Sequence, residues 1–323
     1  MQPLPASMTT TEQTLAYRVQ RLTGDNVADV KQLHAAVYGT RPSPDFFSKK
    51  YNTAFTGVQH VGFIAYNDDG VPIAFYAVIP CFIRFNRKNI LAAQSADTMT
   101  HPDHRFKGLF VELARRTFDL CETLGIRLVF GFPNQNSLPG FVNKLGWQMA
   151  ERMDLFRIRV SVLPWRRLLG KLPFLKKTLQ AGRQKVLQNV AVKGDKMPDS
   201  LYKGEYAGVY RDHHFHQYKT YNNSHLISIG DSILWIKIND VLLIGDAEVK
   251  AEEFIAMMHQ LKKLAAKLGV NEIQFHASPD TVLHRLFSIY YMPVPSFPVI
   301  FKDLGAGIEL EKIKFTSADI DTF

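Results

Sequence analysis

The sequence has little cysteine, no long apolar run and no export signal. Its 323 residues include two cysteines, and its longest apolar runs are about ten residues, too short to span a bilayer. The N-terminal MQPLPASMTTTEQTL lacks the basic region and apolar core of a secretory signal. Cys81 and Cys121 lie in apolar surroundings typical of a strand and a helix. We therefore expect a reduced, cytoplasmic protein without a disulfide framework.

Familiar ligand-binding motifs are also missing. The chain has no GxxxxGK[ST] phosphate loop and no GxGxxG after a strand, which argues against the two best-known nucleotide-binding loops. His213, His214 and His216 form a cluster, but no cysteine or second histidine pair stands at a ligand-like spacing. We therefore predict no metal site and assign these histidines to acceptor contacts or packing.

The net charge of +9 is concentrated in one segment. Residues 155–196 contain eleven lysines and arginines against one acid, so the segment carries +10 and the rest of the chain −1. No recognition element for nucleic acid accompanies these cations, and we expect no nucleic-acid partner. Apolar residues around Trp165 alternate with the cations, which suits peripheral contact with an anionic membrane. The alternative, which we favour, is a connector between domains, because Pro164 and Pro173 interrupt any long surface helix.

Hydrophobic periodicity predicts a mixed α/β sheet in the first half of the chain. The elements up to residue 160 follow the order β-α-α-β-β-β-α-β-α-β, with one strand–helix–strand crossover at the centre. The elements from the crossover onward are predicted at 91–99 (strand), 109–124 (helix), 127–132 (strand), 138–146 (short helix), and 148–153 and 155–160 (two strands).

A short cationic loop precedes the helix predicted at 109–124. HPDHRFKGLF (101–110) places Arg105, Lys107 and Gly108 directly ahead of that helix. A helix N-terminus offers unpaired N–H groups and about half a positive charge, and glycine allows a positive φ and close backbone approach. The loop therefore indicates a phosphate site. The alternative is an ordinary capped turn with surface cations.

The loop and its neighbours resemble the GNAT acyltransferase superfamily. The superfamily's pyrophosphate motif, [QR]-x-x-G-x-[GA], is similar to Arg105-Phe106-Lys107-Gly108-Leu109-Phe110. The preceding SADTMTHPDHR and the later NQNSLPGFVNKLGW are similar to two further landmarks, and the likeness covers residues 15–160. The pattern resembles in particular a branch associated with surface-polysaccharide biosynthesis. The resemblance implies a GNAT fold, an α/β mixed sheet, for this part of the chain.

The resemblance also assigns residues to acetyl-CoA, which in this family lies where the fourth and fifth strands part. The N–H groups of residues 105–110 would hold the pyrophosphate. Asn134 and Asn136 would face the thiol arm, although both are also common turn-forming residues. The main chain expected to run along the pantetheine arm is that of Met99, Thr100 and His101.

Phe110 occupies a motif position where the family has a small residue. It begins the apolar stripe of the following helix, so we expect its ring to turn inward and only its N–H to face the phosphate. Gly108 alone then supplies the backbone freedom that the loop requires.

GNAT chemistry is the attack of a neutral amine on a thioester, and it needs a proton source for the leaving thiolate. Family members commonly use a tyrosine for this purpose, but alignment on Gly146 and Trp147 puts Val142 at that position. Asp97, on the fourth strand, is our candidate base or amine-binding carboxylate. The alternative is that Asp97 caps the next turn.

The second half repeats the crossover without the loop. LGIRLVFGFPN (124–134) and LGVNEIQFHAS (268–278) align at an offset of 144 residues. The counterpart of the loop, DAEVKAEEF (246–254), has four acids and no glycine, so it would repel pyrophosphate. We predict three regions: a GNAT domain at 15–160, a basic connector at 161–200, and a degenerate GNAT-like domain at 201–323.

The tail FTSADIDTF (315–323) has two interpretations. N-myristoyltransferases, which share a doubled GNAT architecture, use their C-terminal carboxylate as a base. By that resemblance the α-carboxylate of Phe323 would activate an amine, if the chain ends there. The alternative, which we favour, is a final edge strand.

Together these features predict an acetyl-CoA-dependent acyltransferase that acetylates an amine, on an amino sugar or another small amine. The alternative is a non-catalytic CoA-binding or interaction protein that retains the fold, which the loss of tyrosine at Val142 supports. Neither class requires a metal ion.

Overall fold

The structure, a computed structural model, describes residues 17–162, 176–192, 197–201 and 206–323, with backbone alone for residues 176–180. The strands are β1 (Arg18–Arg21), β2 (Val61–Tyr66), β3 (Pro72–Phe85), β4 (Lys88–Thr100), β5 (Leu128–Gly131), β6 (Gln148–Arg159), β7 (Gly208–Val209), β8 (Ser224–Ile229), β9 (Ser232–Ile238), β10 (Leu242–Glu248), β11 (Glu272–Ala277) and β12 (Pro293–Asp303). The helices are α1 (Val27–Tyr38), α2 (Phe46–Tyr51), α3 (Leu109–Thr123), α4 (Lys176–Gln188), α5 (His213–Lys219), α6 (Phe254–Lys267) and α7 (Val282–Ser288).

In the described residues, twelve strands form one mixed sheet that runs through both halves of the chain. The order is β1-β2-β3-β4-β5-β12-β6-β11-β10-β9-β8, and β7 pairs with β3. The pairs β4–β5 and β10–β11 are parallel. The two halves exchange strands: β12 lies between β5 and β6, and β6 in turn pairs with β11. The prediction of a mixed α/β sheet is confirmed, and the sheet continues across the predicted domain boundaries, which remain predictions.

Helices cover both faces of the sheet in the first half of the chain, and β3 is therefore buried on both sides. Phe75 and Ala77 pack with α1 and α2, whereas Tyr76 and Val78 pack with α3. This alternation follows the two-residue period of a strand. The apolar stripe of α3 faces the sheet and is buried at Leu109, Leu113, Ala114, Thr117, Phe118 and Cys121.

The internal repeat is visible at the ends of α3 and α6. Gly125 and Gly269 both have a positive φ, 79° and 74°, after the last turn of their helices. The next residue closes the turn in each case: the N–H of Ile126 donates to Cys121 and that of Val270 donates to Ala265, both at 2.9 Å. Glycine is favoured here because a left-handed residue ends the helix without a Cβ clash.

Two sequence predictions of local structure were wrong, and a third was confirmed with a difference in detail. The two strands at 148–153 and 155–160 are one strand, β6, because β12 pairs along its first part and β11 along its last. The short helix predicted at 138–146 is confirmed at residues 138–145, and its central part, Gly140–Lys144, is π-helical. The tail is not an edge strand: it forms a buried 3₁₀ turn, Ser317–Asp319, against β10 and β11.

The basic segment 155–196 is described only in part. Its aromatic and proline-containing portion, 163–175, lies outside the described residues. Two of its cations have defined partners: Arg157 pairs with Glu272 at 2.9 Å, and Arg183 donates to the carbonyl oxygen of Leu268 at 2.9 Å. Among the described residues, none of the helices combines the length and the apolar character that crossing a bilayer requires.

Candidate functional site

The candidate site begins where β4 and β5 part. The two strands pair at Ala92–Leu128, Ala93–Val129 and Gln94–Phe130, and their ladder then ends. The pairing of β4 with β3 shifts register between Ala96 and Met99, so Asp97 lies in a β-bulge with φ of 47°. Bulges redirect side chains and bend a strand. The result is a gap between the two strands.

A cavity of about 240 Å³ occupies this gap. Its walls come from β4, from the segment after β5, from the end of α1 and from the tail. The lining residues are Tyr38, Ser95, Ala96, Asp97, Thr98, Gly131, Phe132, Pro133, Asn134, Ser137, Phe141, Ile300, Asp321 and Thr322. The structure therefore brings Asp97 and Asn134 together, whereas Asn136 and Phe323 are absent from the lining.

The cationic loop has the backbone geometry of an anion cradle. Phe106 and Gly108 have positive φ values of 64° and 78°, and α3 begins directly after Gly108. The first bond within α3 runs from the N–H of Glu112 to the oxygen of Gly108, at 3.1 Å, so the N–H groups of the first turn have no intrahelical acceptor. Arg105 and Lys107 are exposed beside them. This arrangement fits a phosphate group.

Side chains at the loop leave its backbone accessible. A Cβ built on Gly108 would meet no protein atom within 4 Å, so the requirement for glycine there is conformational and not steric. The ring of Phe106 is fully exposed. The ring of Phe110 turns inward, with its centroid 5.2 Å from that of Phe141 and 6.1 Å from that of Tyr76.

The end of β4 connects the loop to the cavity. Met99 and Thr100 pair with β3 opposite Phe75 and Ala74, and the N–H of His101 donates to the oxygen of Ile73 at 2.8 Å. The other edge of β4 has no strand partner beyond Gln94 among the described residues. An extended ligand arm can therefore lie along that edge.

Asn134 organises the turn that follows β5. Its Oδ1 accepts from the N–H groups of Asn136 and Ser137, at 2.9 and 3.0 Å. This is the turn-forming role that the sequence left open beside a ligand-facing one. Asn136 contributes its N–H to the turn and is exposed.

Asp97 belongs to an ion network that links distant parts of the chain. The buried ammonium of Lys50, on α2, lies 2.6 Å from Asp97 and 2.8 Å from Asp321. The hydroxyl of Tyr51 also donates to Asp97, at 2.7 Å. Burial acts to lower the pKa of Lys50, but the charges of Asp321 and Asp97 outweigh it and the pKa lies above its usual value. Lys50 is therefore a permanent cation between two carboxylates.

Asp321 is held as a carboxylate in the same way. Burial acts to raise its pKa, but the charge and hydrogen bond of Lys50 prevail, and the pKa lies below its usual value. Tyr38 is the nearby phenol of the cavity lining. Burial raises the pKa of its hydroxyl, and the charge of Asp97 raises it further, so Tyr38 is protonated at neutral pH.

The position of Phe323 differs from that of Asp321. Its ring is buried in the second half, with its centroid 5.3 Å from that of Trp235, and its main-chain oxygen accepts from the side chain of Asn222 at 2.6 Å. It is Asp321 and Thr322 that reach the cavity. The role of Phe323 as a base stays a prediction.

Sequence reasoning did not identify Lys50, Asp321 or Tyr38. Lys50 had a usable signal, because it lies one helical turn from Phe46 and Phe47, on the buried face of α2. Asp321 had none, because its contact with Lys50 spans 271 positions. The described residues contain no group of three or more histidine, cysteine, aspartate or glutamate side chains arranged to hold a metal ion.

Comparison with known proteins agrees with this geometry. Residues 18–150 match the family model described as acetyltransferase (GNAT) domain, and no curated protein matches the chain. A GCN5-related N-acetyltransferase from Kribbella flavida is similar with a TM-score of 0.59 and 12% identity, over 90% of this chain and 71% of that one. A second GCN5-related N-acetyltransferase, from Anabaena variabilis, is similar with a TM-score of 0.54 and 11% identity, over 89% of this chain and 73% of that one.

A conserved protein of unknown function from Enterococcus faecalis is similar to the same degree, with a TM-score of 0.58 and 11% identity over 92% of this chain and 75% of that one. At such identities the likeness concerns the fold alone. Residues 18–150 thus match a GNAT acetyltransferase domain, and the chain has a mixed α/β fold that matches GNAT-type acetyltransferases.

Proposed function

We propose that this chain is an acetyl-CoA-dependent acyltransferase that acetylates the amine of an amino sugar or another small amine. The observation that supports this is the cationic loop at the start of α3 next to a cavity between β4 and β5, within a GNAT domain. GNAT enzymes use acetyl-CoA. In this chain the N–H groups of residues 105–110 would hold its pyrophosphate, and the main chain of 99–101 would follow its pantetheine arm.

The overall reaction is R–NH₃⁺ + acetyl–S–CoA → R–NH–acetyl + HS–CoA + H⁺. The amine first loses a proton, a C–N bond then forms as the C–S bond breaks, and the thiolate takes up a proton. Asp97 is proposed to hold the ammonium group or to accept its proton, because it lines the cavity and projects from the bulge of β4.

The proton for the thiolate needs a source other than Val142, whose side chain has none to give. We assign this role to Tyr38, because it lines the cavity and its hydroxyl is protonated at neutral pH. A Tyr38→Phe variant is then expected to retain acetyl-CoA binding while losing turnover.

Isothermal titration with acetyl-CoA tests the cofactor part of the proposal, and an assay of free thiol release over a panel of amines and amino sugars tests the reaction. Saturable binding with amine-dependent thiol release is the expected result. Absence of acetyl-CoA binding would overturn the proposal.

A second candidate is a CoA-binding protein without catalytic activity, and the observation in its favour is Val142. Saturable acetyl-CoA binding without thiol release from any amine in the panel would favour it over the first.

The cellular setting is also a proposal. Cys81 and Cys121 are free and buried, which suits a reducing cytoplasm. The basic segment 155–196 suits peripheral contact with an anionic membrane, near a lipid-linked glycan acceptor of the polysaccharide-associated branch. Flotation with vesicles of anionic and of neutral lipid distinguishes this from a connector, which would bind neither.

A further inference from the structure

The charged side chains on the cavity wall have a single sign. Among its lining residues the ones that carry charge are Asp97 and Asp321, and both are acids. The ammonium of Lys50 lies behind them with only 2% of its side chain exposed, whereas 19% of Asp97 and 15% of Asp321 remain exposed. A ligand in the cavity therefore meets two carboxylates, whereas the cations near them, Lys50, Lys219 and Lys237, are not part of the cavity lining.

Asp321 is positioned by the second half of the chain. The side chain of Lys219 donates to the main-chain oxygen of Ile320 at 2.8 Å. The side chains of Asn222 and Tyr221 donate to the main-chain oxygen of Asp321, at 2.8 and 3.1 Å. Lys237 donates to Thr322 at 2.6 Å. These donors bond to main-chain oxygens and do not line the cavity, so they fix the Asp321 carboxylate without covering it.

Another acid of the same tail shows that this orientation is particular to Asp321. Asp319 is buried and accepts two hydrogen bonds from Arg211, at 3.0 and 2.7 Å. Its ion pair thus lies entirely within the second half. Asp321 instead points across to the first half, where it meets Lys50 and the cavity.

We propose that Asp321 is a specificity-determining residue on the acceptor side of the site, where it acts with Asp97 to select a protonated primary amine over a neutral one. The proposal rests on the acyltransferase function above and names its acceptor class as cationic amines. The two carboxylates are the charged groups of the cavity lining, so they attract an ammonium ion and orient its nitrogen between them.

The test uses two isomeric acceptors. Benzylamine is an ammonium ion at neutral pH, whereas p-toluidine is neutral and has the same atoms. For Asp321→Asn we expect kcat/KM with benzylamine to fall about tenfold to a hundredfold, because a hydrogen bond to a charged group is lost. We expect kcat/KM with p-toluidine to stay within about twofold.

Glu311→Gln is the matched control, because it removes the same charge from an exposed position of the same C-terminal segment. Glu311→Gln is expected to leave kcat/KM unchanged for both acceptors. Equal loss for the two acceptors in Asp321→Asn would show a merely structural role, and no loss for either would show no role; both results overturn the proposal.

A binding measurement separates this inference from the proposed function. Titration of benzylamine into the chain is expected to give a dissociation constant at least about tenfold higher for Asp321→Asn than for the wild type. If acetyl-CoA does not bind, the acyltransferase function fails, yet such a difference would still support a cationic-amine site. Equal benzylamine affinities would overturn the site whatever acetyl-CoA does.

Discussion

Each half of the chain contains a pair of parallel strands that part after three paired residues, and the gap between them is open in the first half and filled in the second. In the first half β4 and β5 pair over three residues and then part around an open cavity. In the second half β10 and β11 also pair over three residues, Leu242–Ile273 to Ile244–Phe275, and β10 shifts register directly afterwards. There, however, the gap is filled by the tail of the protein itself.

The tail fills the second gap through main-chain and side-chain contacts. The N–H of His276 donates to Ser317 at 2.8 Å, and Ala277 forms an antiparallel bridge with Thr316. The ring of Phe323 packs so closely on Gly245 that a Cβ there would lie 2.2 Å from it. A parted strand pair thus gives a ligand site only if no other part of the chain occupies it.

The residues at the two bulges differ accordingly. Asp97 faces a cavity, whereas Asp246 is fully buried and bonds to Ser200 and Arg211. From the sequence, Asp246 was expected to repel phosphate at the start of α6. It lies instead inside the network that holds the tail. The segment that precedes α6 does contain exposed or half-exposed acids and no glycine.

The largest expected effect comes from breaking the filled gap. Arg211→Met leaves Asp246 and Asp319 buried without their cation, and we expect the free energy of unfolding to fall by about 3–5 kcal/mol. Denaturant unfolding measures this. Arg157→Met, which removes an exposed pair with Glu272, is the control and is expected to cost less than about 1 kcal/mol. A similar loss of unfolding free energy in both variants would contradict the expectation that the buried ion pairs of Arg211 matter more than the exposed pair of Arg157.

The second-largest effect is expected from a substitution in the cationic loop that precedes α3. Gly108→Val places a β-branched residue at a φ of 78°, which disfavours the native loop, and we expect acetyl-CoA affinity to fall at least about a hundredfold in isothermal titration. Gly70→Val is a close control, because Gly70 has the same φ and a Cβ there also meets no protein atom within 4 Å. Unchanged affinity in Gly108→Val, or equal loss in both, would contradict the assignment of the loop.

A smaller effect is expected at the bulge of the open gap. Asparagine tolerates the left-handed φ of residue 97, so Asp97→Asn removes the charge while the backbone is retained. We expect turnover to fall about tenfold, and the dissociation constant of acetyl-CoA to stay within about twofold. The opposite pattern would make Asp97 part of the acetyl-CoA site.

The smallest expected effect concerns pH and the filled gap. Burial lowers the pKa of His276 to about 4 from an ordinary 6.5, so the native state holds this histidine neutral. The unfolded state binds a proton below pH 6.5, and stability is therefore lost as the pH falls from 6.5 towards 4. His276→Phe replaces the histidine by the residue type found at the equivalent position, 132. Between pH 6 and pH 5 the free energy of unfolding of the wild type should fall by about 1 kcal/mol more than that of the variant. Parallel pH profiles of the two unfolding free energies would contradict this.

Local structure was largely predictable from the sequence, and long-range pairing was not. The helix predicted at 109–124 is found at Leu109–Thr123, because its apolar stripe and the glycines at its two ends are local signals. The exchange of β6 and β12 has no such signal, since periodicity shows that a strand exists but not which strand it pairs with. For the same reason the sequence did not bring Lys50 and Asp321 together, and it misjudged the tail as an edge strand.

The exchange of β6 and β12 has a consequence for how the protein is made. During synthesis the chain emerges from its N-terminus, so β5 and β6 are complete well before residues 293–303 of β12 exist. Until then β5 and β6 lack the strand that lies between them, and each has an unpaired edge that another nascent chain could extend. The first half therefore completes its sheet only after residues 293–303 have been translated, long after its other strands, and both the sheet and residues 315–323 depend on this late step.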